Sequence, residues 1–303
     1  MERNWKKLLR KHRQLLLPSA CDALTAKLIQ QAGFPAYQIG GFALDGARFG
    51  FPDMDVNRLG EKSATAASII HACDLPALVD CDDGYGDEKN VAHTVHTYDA
   101  MGIAAIFIED QKAPKRCGHM SGKEVIDSKT MVKKLRAAIA ARRDATELFI
   151  LARTDAIEPE GIDAALRRAE QYLKTGVDGV YFDGIQDRKQ MHQVAKEFRG
   201  VPLATTILER GGKTPWTPPS EMLEIGFNMV LYPTTLIFRQ TKAIQEALAD
   251  LKAGRPVNDK QAVDMLEFEN IVDIAYWKLI EQSGTTFPEK LRQGLNKLFK
   301  RVA

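Results

Sequence analysis

Acidic side chains follow three of the short apolar runs in this 303-residue sequence. Asp53 lies in Gly-Phe-Pro-Asp, Asp80 and Asp82 belong to Asp-Cys-Asp-Asp-Gly-Tyr-Gly, and Glu109 ends Ala-Ile-Phe-Ile-Glu. Alternation along a strand sends Asp80 and Asp82 to the same side. Carboxylates that share a pocket repel each other unless a cation or raised pKa values relieve the repulsion. Oxygen ligands suit a hard divalent cation, so the pattern favours Mg²⁺, with Mn²⁺ as the alternative.

Helix capping is the other interpretation of an Asp at the end of a strand. Asp83 and Asp87 fit that role, because both precede a segment of helical periodicity. Four carboxylates at neighbouring strand ends exceed what capping requires. The sequence therefore favours a metal site over caps alone.

A loop after Glu109 carries the segment Lys-Arg-Cys-Gly-His, which places Cys117 beside two cations and His119. Neighbouring positive charge lowers the pKa of a thiol and prepares it for proton transfer or nucleophilic attack. The glycines of this loop would let it move as a lid. An isolated cysteine is more often an inert packed side chain, which is the role predicted for Cys21 and Cys73. We predict a chemical role for Cys117.

Further candidates lie at the ends of the later runs. Arg153, in Ala-Arg-Thr-Asp-Ala, is suited to clamp a carboxylate or phosphonate, or to form a salt bridge with a pocket carboxylate. Asp183 ends the sixth run, and Thr205 and Thr206 end the seventh. The threonine hydroxyls would donate to substrate oxygens or satisfy backbone groups.

The candidate residues are positioned by a repeated alternation of short apolar runs and segments of helical periodicity. Each run is apolar on both faces, as strands buried in a parallel sheet must be. The predicted strands cover residues 15–20, 36–40, 77–80, 105–109, 148–152, 179–182, 202–205 and 229–232. The predicted helices include 23–32, 91–101, 130–142, 162–175 and 219–225, and a helix-ending glycine follows four of them: Gly33, Gly102, Gly176 and Gly226.

Eight such units in about 250 residues predict an α/β fold of the (β/α)8 TIM-barrel type. An open, doubly wound sheet would show the same alternation. A polar residue at the end of nearly every strand favours the barrel, because active sites of barrels are built there.

Two domains are predicted: a catalytic barrel over residues 1–250 and a C-terminal helical extension over 251–303. The extension contains predicted helices at 259–282 and 288–302, whose many apolar positions need a surface to cover. That surface is either the chain's own barrel or a neighbouring subunit with which a helix is exchanged. A basic amphipathic helix over residues 5–15 is predicted to close the bottom of the barrel rather than to bind phospholipid or nucleic acid.

Composition describes an ordinary globular chain, with 45% hydrophobic and 27% charged residues. Lys plus Arg total 42 against 40 for Asp plus Glu, so no global field points to nucleic acid. No apolar run approaches the roughly 20 residues that span a bilayer. The four cysteines are widely spaced and the first residues lack the apolar core of a signal peptide. We therefore expect a cytoplasmic protein with reduced thiols and neither a nucleic-acid nor a membrane partner.

Taken together, the motifs resemble the isocitrate lyase and phosphoenolpyruvate mutase superfamily. Within it, the chain is most similar to the group of 2-methylisocitrate lyases, dimethylmalate lyases and carboxyphosphonoenolpyruvate mutases. The resemblance covers roughly residues 15–250. Its most specific segments are Gly-Phe-Pro-Asp (50–53), Asp-Cys-Asp-Asp-Gly-Tyr-Gly (80–86), Glu-Asp-Gln (109–111), Lys-Arg-Cys-Gly-His (115–119), Ala-Arg-Thr-Asp-Ala (152–156) and Gly-Gly-Lys-Thr-Pro-Trp (211–216).

Membership implies a barrel, Mg²⁺ and a homotetramer, often with a C-terminal helix swapped between subunits. It implies that Asp80 and Asp82 hold the metal, and that Asp53 and Glu109 support it through water. In the lyases, the loop cysteine, here Cys117, protonates a released enolate. The residues implied to bind substrate are Arg153, His119, Asp183, Thr205 and the backbone of Gly40, Gly41 and Gly118. The general base is left open between Tyr37 and a metal-bound water.

The chain departs from the superfamily pattern in positions that bear on specificity. Ile39 stands where a small hydroxyl residue is usual, Asp183 where a Glu is expected, and Thr205 where an Asn is expected. A normally small and apolar stretch contains Phe42, Leu44, Asp45 and Arg48. A site built for one set of substrate polar groups rejects another, so these changes bear on which acid is bound.

Three hypotheses follow. The leading one is a Mg²⁺-dependent carbon–carbon lyase that cleaves a 2-hydroxy di- or tricarboxylate, of the methylisocitrate or alkylmalate kind, to a 2-oxo acid and a carboxylate. The alternative is a phosphonomutase of the phosphoenolpyruvate type or an oxaloacetate decarboxylase, which would use the same metal site. The third is a barrel that has lost catalysis and binds a ligand or assembles with partners.

Overall fold

The protein was analysed as a computed structural model that describes residues 4–144, 148–257 and 260–282. The chain divides into two compact units, one within residues 2–238 and the other within residues 239–303. The division into a catalytic barrel over residues 1–250 and an extension over 251–303 remains a prediction.

The first unit contains a sheet of eight parallel strands. Each strand pairs with its neighbour in sequence from β2 to β8, and β1 pairs with β8. A bridge between Ser19 and Gln38 brings β1 beside β2 and completes the ring. The predicted (β/α)8 barrel is thus confirmed. The strands are β1 (Leu15–Pro18), β2 (Tyr37–Ile39), β3 (Ala77–Asp80), β4 (Ala105–Glu109), β5 (Phe149–Thr154), β6 (Gly179–Phe182), β7 (Leu203–Thr206) and β8 (Met229–Tyr232).

Helices of the first unit surround the strands. They are α1 (Trp5–His12), α2 (Ala23–Gln31), α3 (Gly41–Phe49), α4 (Leu59–His71), α5 (Glu88–Ala100), α6 (Ser128–Ala141), α7 (Ile157–Glu160), α8 (Ile162–Leu173), α9 (Arg188–Glu197) and α10 (Pro219–Ile225). Of these, α1, α2, α5, α6, α8 and α10 lie close to the segments predicted to be helical. The four glycines predicted to end helices all have positive φ, which L-residues with a Cβ rarely adopt. Asp87 caps α5, as one interpretation of its position predicted.

Alternate residues of the strands build two different cores. One set fills the barrel: Leu15, Leu78, Phe107 and Tyr181 form a cluster in which the last two rings meet edge to face, with centroids 5.1 Å apart. The other set packs against the helices. Trp5 belongs to the inner cluster, so the amphipathic α1 closes the barrel as predicted.

Helix α11 (Thr235–Lys252) begins in the first unit, and the second unit contains α12 (Met265–Ile271) and α13 (Ile274–Gln282). The helix predicted over residues 259–282 is therefore two shorter helices, separated where Asp273 takes a φ of +59°. The helix predicted at 288–302 lies outside the described residues. Several apolar side chains of the second unit are largely exposed: Ile244, Leu248, Leu251, Met265, Leu266 and Trp277.

Within the described residues, no helix is both long enough and apolar enough to cross a bilayer.

Candidate active site

A small cavity of about 40 Å³ lies at the carboxyl ends of the strands, covered by the loop of residues 115–123. Most of the predicted site residues line it: Gly40, Gly41, Asp53, Asp80, Cys117, Gly118, His119, Arg153 and Asp183. The lining also includes Gln38, Phe42, Phe107, Tyr181, Thr206, Leu208 and Pro233. Residues far apart in sequence thus converge at the face of the barrel where active sites are built.

Asp80 and Asp82 lie together, as their spacing predicted. The backbone N–H of Asp82 donates to Oδ1 of Asp80 across 2.9 Å, and the N–H of Gly41 donates to Oδ2 across 3.1 Å. Burial, followed by the charge of Asp82, raises the pKa of Asp80. The backbone N–H of Gly40 donates to Oγ of Ser19 across 3.3 Å. Both glycine N–H groups predicted to bind a substrate carboxylate are therefore already engaged within the protein.

Two buried lysines neutralise Asp82. Nζ of Lys115 lies 2.5 Å from Oδ1 of Asp82 and also contacts Asp53, while Nζ of Lys62 lies 2.6 Å from Oδ2. Burial opposes ionisation of Asp82, but the two ammonium groups outweigh it and hold the pKa well below its usual range.

Lys62 was not among the residues predicted for the site. Its position offered a signal, because Lys62 occurs at helical spacing with the buried Ala66 and Ile69. A lysine on the buried face of a helix needs a carboxylate partner. Which carboxylate it meets depends on tertiary packing that the sequence pattern does not encode.

The donor set was tested for its fit to Mg²⁺. Among the described residues, no three His, Cys, Asp or Glu side chains form a ready-made metal cage. Mg²⁺ keeps several waters and often takes only one or two protein carboxylates, so a cage is not required. Oε1 of Glu109 is buried without a hydrogen-bond partner, and Asp80 lines the cavity. The residues fit a largely hydrated divalent cation at Asp80, with Glu109, Asp53 and Asp82 as outer partners.

Arg153 forms salt bridges with pocket carboxylates, which was one of the two roles predicted for it. Its Nε lies 2.8 Å from Asp155 and 3.2 Å from Glu109, and its Nη2 lies 3.0 Å from Asp183. The guanidinium also lies over the ring of Tyr181, 5.1 Å from its centroid. Burial would raise the pKa of Asp183, but the charge of Arg153 outweighs it and keeps that pKa below its usual range. The cavity wall thus carries an ionised carboxylate beside a fixed guanidinium.

Cys117 sits on the lid, 9% exposed, with its N–H donating to the backbone oxygen of Asp53 across 2.9 Å. The prediction that flanking cations lower its pKa is wrong. Lys115 turns to the acid cluster, and Arg116 donates to the backbone oxygen of Ser121. Burial, and then the charge of Asp53, raise the pKa of the thiol to about 12. Cys117 is a neutral thiol, which suits a proton donor and not a thiolate nucleophile.

Gly118 has no space for a side chain. A Cβ at this position would lie 1.6 Å from Oδ2 of Asp183 and 2.5 Å from Nη2 of Arg153. The glycine therefore lets the lid backbone approach the charged wall of the cavity. Lys123 fastens the same segment, since its Nζ donates to the backbone oxygen of Gly118 and lies 3.1 Å from Asp155.

Several residues singled out in the sequence do not line the cavity. Asp82 and Glu109 lie outside its lining, in contact with Lys115 and Arg153 respectively. Tyr37 and Ile39 belong to the core between the strands and the helices, so neither faces the substrate space. Oγ1 of Thr205 donates to the backbone oxygen of Phe182 across 2.9 Å. Their neighbours Gln38 and Thr206 line the cavity instead. Successive side chains of a strand point to opposite faces, and the polar side chain of Gln38 was the signal for the inward set of β2.

Charged residues that converge at the carboxyl ends of a closed parallel barrel are typical of barrel enzymes. Residues 5–252 match the sequence family described as phosphoenolpyruvate phosphomutase, and the chain belongs to that family. The resemblance to the isocitrate lyase and phosphoenolpyruvate mutase superfamily is thereby confirmed.

Curated relatives of the chain include lyases. A 2,3-dimethylmalate lyase of Eubacterium barkeri is 35% identical over 247 residues, covering 82% of this chain and 84% of that protein. A 2-methylisocitrate lyase of Bacillus subtilis is 36% identical over 248 residues, covering 82% and 80%. The family and these relatives place the chain among the enzymes of the superfamily.

Solved structures agree in fold over almost the whole chain. An oxaloacetate acetylhydrolase in complex with the inhibitor 3,3-difluorooxalacetate superposes with a TM-score of 0.88 at 26% identity, covering 94% of this chain and 97% of that one. A phosphonopyruvate hydrolase in complex with oxalate and Mg²⁺ superposes with a TM-score of 0.82 at 25% identity, covering 93% and 99%. Mg²⁺ is thus bound in a structure of a related fold.

Proposed function

We propose that this protein is a Mg²⁺-dependent carbon–carbon lyase that cleaves a 2-hydroxy di- or tricarboxylate to a 2-oxo acid and a carboxylate. The observation that carries the proposal is the position of Cys117, which lines the cavity on the loop whose Lys115 contacts Asp53 and Asp82. Burial raises the pKa of this thiol, which favours its protonated form. A buried, protonated thiol facing a cavity is suited to deliver a proton to a carbanion. The dimethylmalate and methylisocitrate lyases among the relatives support this class of substrate.

In the proposed reaction, the substrate hydroxyl loses its proton and its oxygen forms the carbonyl of the 2-oxo acid. The C2–C3 bond breaks, and its electron pair passes to the departing fragment as an enolate-like carboxylate. Cys117 gives that fragment its proton and becomes a thiolate. The thiol is then regenerated by the proton that left the hydroxyl, returned directly or through solvent. Bound Mg²⁺ would supply electrostatic stabilisation of the charge on the substrate oxygens.

Residues of the cavity wall bind and orient the substrate. His119 and Arg153 line the cavity, and Nε2 of His119 is buried there without a hydrogen-bond partner. Asp80 and its outer partners would hold the metal. Tyr37 lies on the outer face of β2, so it is not part of the proposed proton transfer. The lid excludes water, which protects the carbanion from an uncontrolled proton source.

The test is the release of 2-oxo acid from a panel of 2-methylisocitrate, isocitrate, 2,3-dimethylmalate, other alkylmalates and oxaloacetate, with Mg²⁺ and with a chelator. We expect cleavage of one hydroxy acid that the chelator abolishes and that Cys117→Ser reduces at least about a hundredfold. Cys73→Ser is the matched control, because Cys73 is a buried thiol in the outer core. Full turnover by Cys117→Ser would exclude the acid role.

A second candidate is phosphonate or oxaloacetate chemistry at the same site. It is favoured by the description of the matching family and by the hydrolases among the structural neighbours. The segment Gly-Gly-Lys-Thr-Pro-Trp also contacts the lid, through Lys213. Turnover of oxaloacetate or of a phosphonate, with no cleavage of any hydroxy acid in the panel, would favour this candidate.

A homotetramer in the cytoplasm completes the proposal. The exposed apolar side chains of α11 to α13 support assembly, because contiguous apolar surface is typical of interfaces.

A further inference from the structure

Lys62 is a second, permanent cation of the acid cluster. Its side chain is 3% exposed and comes from α4 in the barrel wall, so it does not belong to the lid. Its Nζ lies 2.6 Å from Oδ2 of Asp82 and 3.3 Å from Oδ2 of Asp45. An ammonium group this deeply buried is tolerated only when carboxylates surround it.

Asp45 is the second carboxylate in contact with Lys62. Asp45 is fully buried on α3, and its Oδ1 accepts a hydrogen bond from Nδ2 of Asn57 across 3.0 Å. Asp45 and Lys62 therefore form a buried charge pair, and Asn57 orients the carboxylate of Asp45.

The two carboxylate oxygens of Asp82 contact two different lysines. Lys115 approaches Oδ1 and belongs to the lid segment, whereas Lys62 approaches Oδ2 and belongs to a helix. Displacement of the lid would remove Lys115 from Asp82 but leave Lys62 in place. One positive charge thus remains beside Asp82 whether the lid is closed or open.

Lys62 also lies next to the carboxylate that the cavity exposes. A Cβ on Gly41 would meet Nζ of Lys62 at 3.2 Å and Oδ2 of Asp80 at 3.3 Å, so both groups face the same point of the backbone. A buried ammonium beside the same glycine as Asp80 opposes the binding of a divalent cation to that carboxylate through charge repulsion, which is strong in a buried site.

We infer that Lys62 is a resident counter-charge that weakens divalent-cation binding to the acid cluster, and that Asp45 positions it for this role. The inference rests on the proposed function, because it takes Asp80 and its neighbours as the metal site. Lys62 touches neither substrate nor the reacting atoms, so it is a positioning residue. The substrate-free enzyme should therefore bind a divalent cation more weakly than the same carboxylates would without Lys62.

The experiment measures Mn²⁺ binding to the metal-free full chain without substrate, by electron paramagnetic resonance of the free ion, with Mg²⁺ as competitor. Lys62→Met is expected to lower the Kd for Mn²⁺ at least about tenfold, because it removes a positive charge beside Asp80. Lys134→Met is the matched control. Lys134 is also a buried lysine, but it pairs with Asp83 at 3.4 Å, and neither residue lines the cavity. The Kd of Lys134→Met for Mn²⁺ should stay within about twofold of the wild-type value.

A second comparison keeps the test informative if Lys62→Met does not fold. Asp45→Asn should weaken Mn²⁺ binding, and the double variant Asp45→Asn/Lys62→Met should bind at least about tenfold more tightly than Asp45→Asn. The double variant leaves no unpaired charge at position 45 and retains the contact between Lys115 and Asp82.

Each outcome separates this inference from the proposed function. Unchanged or weaker Mn²⁺ binding in the lysine variants, beside normal binding in wild type, overturns the inference alone. A tighter Kd together with no 2-oxo acid release from any substrate supports the inference and overturns the lyase. Absence of Mn²⁺ binding to wild type and variants alike overturns both the metal site and the inference.

Discussion

The backbone N–H of Lys213 donates to Nδ1 of His119 across 2.9 Å. Because Nδ1 accepts, the ring proton of a neutral His119 resides on Nε2. Burial lowers the pKa of His119, which favours the neutral ring. Nε2 is buried without a hydrogen-bond partner, and the nearest carboxylate oxygen, Oδ1 of Asp183, lies 3.8 Å away. The loop after β7 thereby aims a donor at the cavity, where a substrate oxygen would satisfy it.

Lys213→Met is expected to loosen the lid. The side chain of Lys213 donates to the backbone oxygen of Met120 across 2.9 Å and pairs with Glu158 at 2.5 Å. Loss of both contacts should lower kcat/KM about tenfold and speed proteolysis of the lid. Lys112→Met is the control, because Lys112 forms an exposed ion pair with Glu124 and should stay within about twofold of wild type. Equal activity and equal proteolysis in the two variants would contradict this account of the loop.

Gly118→Ala should prevent the lid from closing. The added methyl group would lie 1.6 Å from the carboxylate of Asp183, a distance that only displacement of the loop relieves. We expect kcat/KM to fall at least about a hundredfold, since the proton donor would be misplaced. The melting temperature should change by only a few degrees, because loop displacement leaves the core intact. Gly46→Ala is the control: its Cβ would meet nothing within 4 Å. A fully active Gly118→Ala enzyme would show that the lid does not dock this way during turnover.

Cys117 should resist alkylation and keep its proton at alkaline pH. Its pKa of about 12, against an ordinary value of 9.0, means that the protonated fraction stays near one well above pH 9. Because the raised pKa keeps Cys117 protonated, activity that depends on this thiol should persist as the pH rises through 9. Iodoacetamide should label native Cys117 at least about a hundredfold more slowly than the unfolded chain, as followed by mass spectrometry at that residue. Labelling at the rate of an exposed peptide thiol would contradict the buried, neutral state.

The strand pattern predicted the barrel and most of its site because chemistry concentrates at strand ends. Asp80, Glu109 and Arg153 could be placed by locating the end of each apolar run, and the structure brings them together. The facing of β2 is missed when its run is interpreted as apolar on both faces. The amide of Gln38, the polar side chain of that strand, was the available signal for the inward face, since Gln38 lines the cavity and Tyr37 does not.

The sequence pattern also did not predict which charged side chains contact each other. The cations beside Cys117 in sequence point elsewhere in the structure, and burial decides the pKa of the thiol. Lys62, 55 positions before Cys117 in the chain, contributes more to the electrostatics of the acid cluster than Arg116 does, because it is buried against Asp82. Adjacency in sequence is a poor guide to electrostatic contact where loops fold over a pocket.

Assembly through the C-terminal helices is the last prediction. Trp277 is 61% exposed and Leu266 is 66% exposed, a large apolar area to leave in contact with water. Light scattering coupled to size exclusion should give a mass equal to four chains of 33.7 kDa. Leu266→Asp/Trp277→Asp should yield smaller species, since buried carboxylates destabilise an apolar interface. Leu28→Asp changes an exposed leucine on α2 in the barrel unit, and the tetramer should persist. A wild-type chain that elutes as a monomer would exclude the tetramer.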